Sequence, residues 1–97
     1  MHVSVPLPPI NPKIMSVTAT SLTLMWTPSP KSEVSGYSVE WTTRNETKHT
    51  NIRNPQLQIN GMLAGQKYTI NIYSRNIANE RSLTSTSIDG HTRELDI

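Results

Sequence analysis

Few side chains in this sequence could do chemistry, and they are scattered. Histidines stand at His2, His49 and His91, two near the ends and one in a polar run, so none pair at metal-ligand spacing. Surface histidines account for that distribution. There is no cysteine, which removes disulfides, thiolate metal sites and a cysteine nucleophile together. Serine, histidine and aspartate all occur, yet no Gly-x-Ser-x-Gly turn presents a nucleophile, and composition alone makes no triad. The carboxylates are dispersed, with Glu94 and Asp96 in the tail. A paired acid–base site would also need a concave pocket, which a packed sandwich core does not supply. The sequence predicts no catalytic residue, no metal ligand and no cofactor.

Binding chemistry has more material. Asn45-Glu46-Thr47 is an N-glycosylation sequon in a predicted turn, where a glycan would not disturb a core. A three-residue motif also arises by chance in a chain rich in Asn and Thr, and its use depends on secretion. Arg44, Lys48, Arg53, Arg75 and Arg81 are basic positions that could bind a sulfated glycan or an acidic partner if the fold gathers them. Lysines and arginines on strands equally serve to protect edges against unwanted pairing. Tyr73 and Arg75 are predicted to point outward beside Glu40 and Thr42, as a binding anchor or a cross-strand support. Leu95-Asp96-Ile97 is similar to short acidic integrin-binding motifs, and reads equally as a linker.

The elements that must carry these residues are strands. The chain has 97 residues, enough for one domain, with 34% apolar residues, no Phe, and a net charge of +2 that is too small to imply nucleic acid. No run of about 18 apolar residues suggests a membrane-spanning helix. No signal peptide opens the chain, and Met1 followed by a Pro-rich run reads as a module cut from a larger protein. The four prolines within Val5 to Pro12 predict an extended lead-in to an edge strand, or a polyproline ligand.

Strand A is predicted over Lys13 to Thr18, with Ile14 and Val17 inward and a bulge between them. Leu22, Leu24 and Trp26 alternate to give strand B one buried face. Tyr37, Val39 and Trp41 do the same for strand C after Gly36, and Lys48 to Ile52 forms a short polar strand. Leu57 and Ile59 make strand E, which Asn60-Gly61 closes. Strand F carries Tyr68, Ile70 and Ile72 inward after the turn at Leu63-Ala64-Gly65, and Tyr68 is placed to tie down that turn through its hydroxyl. A last strand is expected from Leu83 to Asp89, with Ile88 inward. Seven short strands with no helical periodicity indicate an antiparallel two-sheet sandwich.

These residues resemble a family. Pro12, Ile14, Val17, Leu22-Thr23-Leu24-x-Trp26, Pro28, Gly36-Tyr37-x-Val39-Glu40, Leu63-x-x-Gly65-x-x-Tyr68-x-Ile70-x-Ile72 and Asn76 are similar in order and spacing to the fibronectin type III pattern. The resemblance implies an all-β, immunoglobulin-like Greek key. Strands A, B and E would form one sheet, and C, C-prime, F and G the other. It places Trp26 in the core, and makes Tyr68 a tyrosine corner with Leu63 packed beneath. The chain departs from the pattern at Ile77-Ala78-Asn79-Glu80-Arg81, where many members carry glycines. The stretch from Ser74 to Arg93 is similar in flavour to repeats of receptor-type tyrosine phosphatase ectodomains.

The expected organisation is a leader over residues 1–7, a fibronectin type III domain over 8–93 and a linker over 94–97. The expected function is that of a non-catalytic, extracellular module of a cell-surface receptor or adhesion protein. It would act as spacer and protein-interaction domain, monomeric by itself, touching neighbouring domains and a protein ligand. The alternative is an intracellular structural repeat of a muscle-type scaffold. Asn45 is the candidate glycosylation site, and Trp26, Tyr37, Leu63 and Tyr68 are the structural residues.

Overall fold

A computed structural model describes residues 5–44 and 46–95. Seven strands form: β1 (Ile10–Val17), β2 (Leu22–Thr27), β3 (Gly36–Thr43), β4 (Glu46–Ile52), β5 (Gln56–Ile59), β6 (Lys67–Arg75) and β7 (Thr86–His91). All pair antiparallel, in one sheet ordered β1-β2-β5 and another ordered β4-β3-β6-β7. This is the seven-stranded, two-sheet antiparallel sandwich that the alternation predicts, with the strand order of the Greek key that the resemblance implies. The histidine His2 and the end of the Leu95-Asp96-Ile97 motif lie outside the described residues, as does Asn45.

Period-two alternation decides which faces meet. Leu22, Leu24 and Trp26 of β2 are buried against Tyr37 and Val39 of β3 and Tyr68, Ile70 and Ile72 of β6, with Ile59 and Met62 closing the core. Trp41 is only half-buried, packed at the margin of that cluster. Trp26 and Tyr37 meet edge to face, with ring centroids 5.2 Å apart and planes at 78°. That is a favoured arrangement for two ring quadrupoles. Burial holds the Tyr37 phenol above its ordinary pKa of 10.0.

Three strands differ from expectation. β4 begins at Glu46, two residues before the expected Lys48, so Glu46 and Thr47 of the sequon lie in the strand, paired with Thr43 and Thr42, and not in a turn. β1 begins earlier, at Ile10, and carries two register shifts, one between Ile10 and Lys13 and one between Ile14 and Ser16. The second is the bulge that brings Ile14 and Val17 to the core side. β7 runs from Thr86 to His91 and excludes Leu83, which is 85% exposed in the preceding loop. Its inward residues are Ile88 and Gly90. A Cβ added at Gly90 would lie 2.6 Å from Leu22 Cδ1, so the buried Leu22 side chain would have to shift to admit one.

The chain comes in at one pole and goes out at the other. Thr86 at the start of β7 donates its hydroxyl hydrogen to the carbonyl of Pro9, just before β1. At the far end, the Arg93 N–H donates to the Thr18 carbonyl, just past β1 (3.0 Å). β1 and β7 therefore lie side by side and run in the same direction. The pole where β1 begins also holds the β2–β3, β4–β5 and β6–β7 loops, by the registers of the paired strands. Residues 5–7 rest against this pole, with Pro6 buried and the Leu7 N–H donating to Ser32 Oγ at 2.8 Å.

Candidate functional site: a corner that holds and a face that presents

The corner lies at the C-terminal pole. Tyr68 opens β6 with its ring in the core, and its hydroxyl oxygen accepts the Leu63 N–H at 2.7 Å. Leu63 contributes backbone here. Its side chain is 53% exposed, so the expectation that it packs beneath the tyrosine is corrected, and the neighbouring Met62 takes the buried place. The reason is local. Gly61 and Gly65 both adopt positive φ (69° and 65°), and the turn between them points Met62 inward and Leu63 out.

Sequence reasoning missed the second clasp of this corner. Thr92 is buried just past β7. Its hydroxyl donates to the Leu63 carbonyl at 2.7 Å and accepts the Gln66 N–H at 3.0 Å. Its N–H donates to the Gln66 carbonyl, and the Gly65 N–H donates to the Arg93 carbonyl. A small polar residue next to the tail carries no periodic signal, so nothing in the pattern marks it.

The presenting surface is the outer face of the four-stranded sheet, where residues align in rows across the strands. Asn51, Ser38 and Tyr73 form one row, and His49, Glu40, Asn71 and Ser87 form the next. Thr47, Thr42, Thr69 and Asp89 form a third. Neighbours in these rows are hydrogen-bonded: Ser38 Oγ to Asn51 Oδ1 (2.8 Å), Thr42 with Thr47 (2.9 Å), Thr69 to Asp89 (3.1 Å), and Ser87 to Asn71. Such pairs stabilise the sheet and also set a polar surface with fixed donors and acceptors.

At the N-terminal pole this face becomes basic. The Arg75 guanidinium donates Nη1 to Ser38 Oγ (2.8 Å), Nε to Asn79 Oδ1 (3.1 Å) and Nη2 to the Asn79 carbonyl (3.0 Å). Asn79 sits at φ 65°, within a turn where Asn76 Oδ1 accepts the Glu80 N–H (3.0 Å) and the Asn76 side-chain amide donates to Glu80 Oε1 (3.1 Å). That turn brings Arg81 back over the sheet. Its guanidinium carbon lies 4.0 Å from the centroid of the Tyr73 ring, and Nη1 pairs with Glu40 at 3.2 Å. The cation against Tyr73 is thus Arg81, and the expected neighbours of Tyr73 and Arg75 are corrected: the register sets Tyr73 opposite Ser38 and Arg75 opposite Gly36, while Glu40 and Thr42 face Asn71 and Thr69.

Of the five basic positions singled out above, three gather at this pole: Arg53, Arg75 and Arg81 line two adjoining depressions that share Arg75 and Asn51. Lys48 lies towards the other pole, paired with Glu46 at 3.5 Å, and Arg44 stands exposed in the β3–β4 turn at φ 54°. His49 and His91 lie on different strands, and among the described residues no three His, Cys, Asp or Glu side chains could hold a metal ion together.

The family model for the fibronectin type III domain matches residues 7–89. The chain belongs to that family. No curated protein sequence matches it. Among solved structures it is similar to the fibronectin type III domain of the human collagen alpha-1(XX) chain, with TM-score 0.81, 24% identity, and coverage of 99% of this chain and 93% of that one. It is similar to the domain of human fibronectin type III domain containing protein 3, with TM-score 0.82, 18% identity, and coverage of 97% and 92%. It is also similar to a three-domain stretch of titin, with TM-score 0.79 and 22% identity, covering 93% of this chain and 33% of that chain. These likenesses establish the fold. Fibronectin type III domains are generally binding or structural modules and occur in both extracellular and intracellular proteins.

Proposed function

We propose that this fibronectin type III domain is a non-catalytic extracellular module of a cell-surface receptor or adhesion protein, acting as spacer and protein-interaction domain. The observation that carries the reading is the path of the chain. It comes in beside Ser32 at one pole and leaves beside Thr18 at the other, so each copy in a series adds its length to an array. The body is elongated, 59 × 25 × 16 Å. The ordered polar face between the poles is free for a partner, while the hydrogen-bonded corner keeps one end rigid.

The sequon at Asn45-Glu46-Thr47 supports placement outside the cell. The narrower resemblance to receptor-type tyrosine phosphatase ectodomains belongs to this same proposal. The test is expression of the domain behind a secretion signal in a glycosylating cell, followed by glycosidase digestion. The expected result is a mobility shift that Asn45→Gln abolishes. Secretion without any glycan would remove the main support and favour an intracellular scaffold repeat.

A further inference from the structure

The basic pole of the sheet face contains a charge that nothing in the described chain neutralises. Arg75 is half-buried, and all its hydrogen bonds go to neutral groups, the Ser38 hydroxyl and the amide and carbonyl of Asn79. Arg53 makes no side-chain hydrogen bond or ion pair among the described residues. Lined by both arginines, with Gly36, Asn51, Asn76 and Asn79, is a depression of about 360 Å3 that contains no carboxylate. A second depression adjoins it, with Ser38, His49, Asn51, Arg75 and Arg81, and Glu40 is the one carboxylate there. Three guanidiniums thus face one acid along a continuous strip.

We infer that this strip is a binding site for a sulfated polysaccharide. A partly buried guanidinium held by neutral partners keeps its full charge and a fixed orientation, which suits an anion with several acceptor oxygens. The Asn51 side-chain amide spends its oxygen on Ser38, leaving its NH2 to donate. Two shallow depressions in series suit a repeating polyanion better than a single charged group. A protein partner would need an aromatic or aliphatic anchor; Tyr37 and Ile52 line the first depression but Tyr37 is 3% exposed and Ile52 packs against the core, and the Tyr73 ring beside the strip is covered by Arg81. The inference rests on the extracellular placement proposed above, where such polysaccharides are met.

The test is titration of the purified domain with a heparin octasaccharide at near-physiological ionic strength, followed by calorimetry or by elution from a heparin column. Arg53→Glu should weaken binding about tenfold, the loss of one charge-assisted contact. Glu40→Gln should tighten it, because the competing carboxylate is gone while a hydrogen-bond acceptor for Arg81 remains. Lys13→Glu, a charge reversal of the same size on the other sheet, should change little. Equal effects at Lys13 and Arg53, or no tightening in Glu40→Gln, would overturn the site. A desulfated octasaccharide or a polyglutamate peptide that bound as well would overturn the ligand class. Arg53 and Glu40 lie outside the core, and matching thermal melts exclude unfolding as a cause. The titration reads the strip alone and the secretion assay reads the placement alone, so either can fail without the other.

Discussion

Replacing Tyr68 by Phe tests the corner with the least disturbance. The ring is 4% exposed, and Phe fills the same volume, so the core should stay packed. What is lost is the 2.7 Å bond from the Leu63 N–H, which is left without its acceptor. The net worth of such a bond, together with the cost of an unpaired donor, is about 1–2 kcal/mol. In a domain of this size that lowers Tm by about 5–10 °C. It moves the urea midpoint by about 1 M with an unchanged slope. Leu63→Ala is the companion variant. Because that side chain is exposed and the contact runs through backbone, it should cost less than about 0.5 kcal/mol. An unmoved urea midpoint for Tyr68→Phe would refute the reasoning. So would a Leu63→Ala variant that proved the more damaging of the two.

Thr92→Val keeps the shape of the buried side chain but removes the hydroxyl that joins the Leu63 carbonyl to the Gln66 N–H. It should cost about 1–3 kcal/mol by chemical denaturation. Gly90→Ala places a methyl group against Leu22 Cδ1 and should cost about 1–3 kcal/mol from overpacking, read by the same assay. Alkaline titration should expose the buried phenol of Tyr37. Its folded pKa is raised above 10.0, so the unfolded state gives up that proton first. The contribution to stability is complete below pH 10 and falls as pH rises towards the folded value, and Tyr37→Phe should flatten that limb of the pH–stability curve.

Strands whose cores face one sheet were readable because large apolar residues alternate along them. Leu22, Leu24 and Trp26, or Tyr68, Ile70 and Ile72, admit one register that buries all three. The last strand was harder for a physical reason. Its inward positions include Gly90, and the residue that clasps its end is Thr92, so the pattern offers little hydrophobicity where burial is complete. Leu83 supplied a false start to that strand, being apolar and yet exposed in the loop. Ile77, also in the β6–β7 loop, is 91% exposed and shows the same break between residue type and environment. The clustering of Arg53, Arg75 and Arg81 could not be read from spacing. It depends on the left-handed turn at Asn79 and on where the β4–β5 and β6–β7 loops meet in space.

The side-by-side, same-direction course of β1 and β7 has a mechanical consequence. Tension applied at the two ends of the domain drags these strands past each other along their length, in shear. The ties between Thr86 and Pro9 and between Arg93 and Thr18 sit at opposite ends of that contact. The load therefore falls on both together and cannot open them one after the other, as a peeling force would.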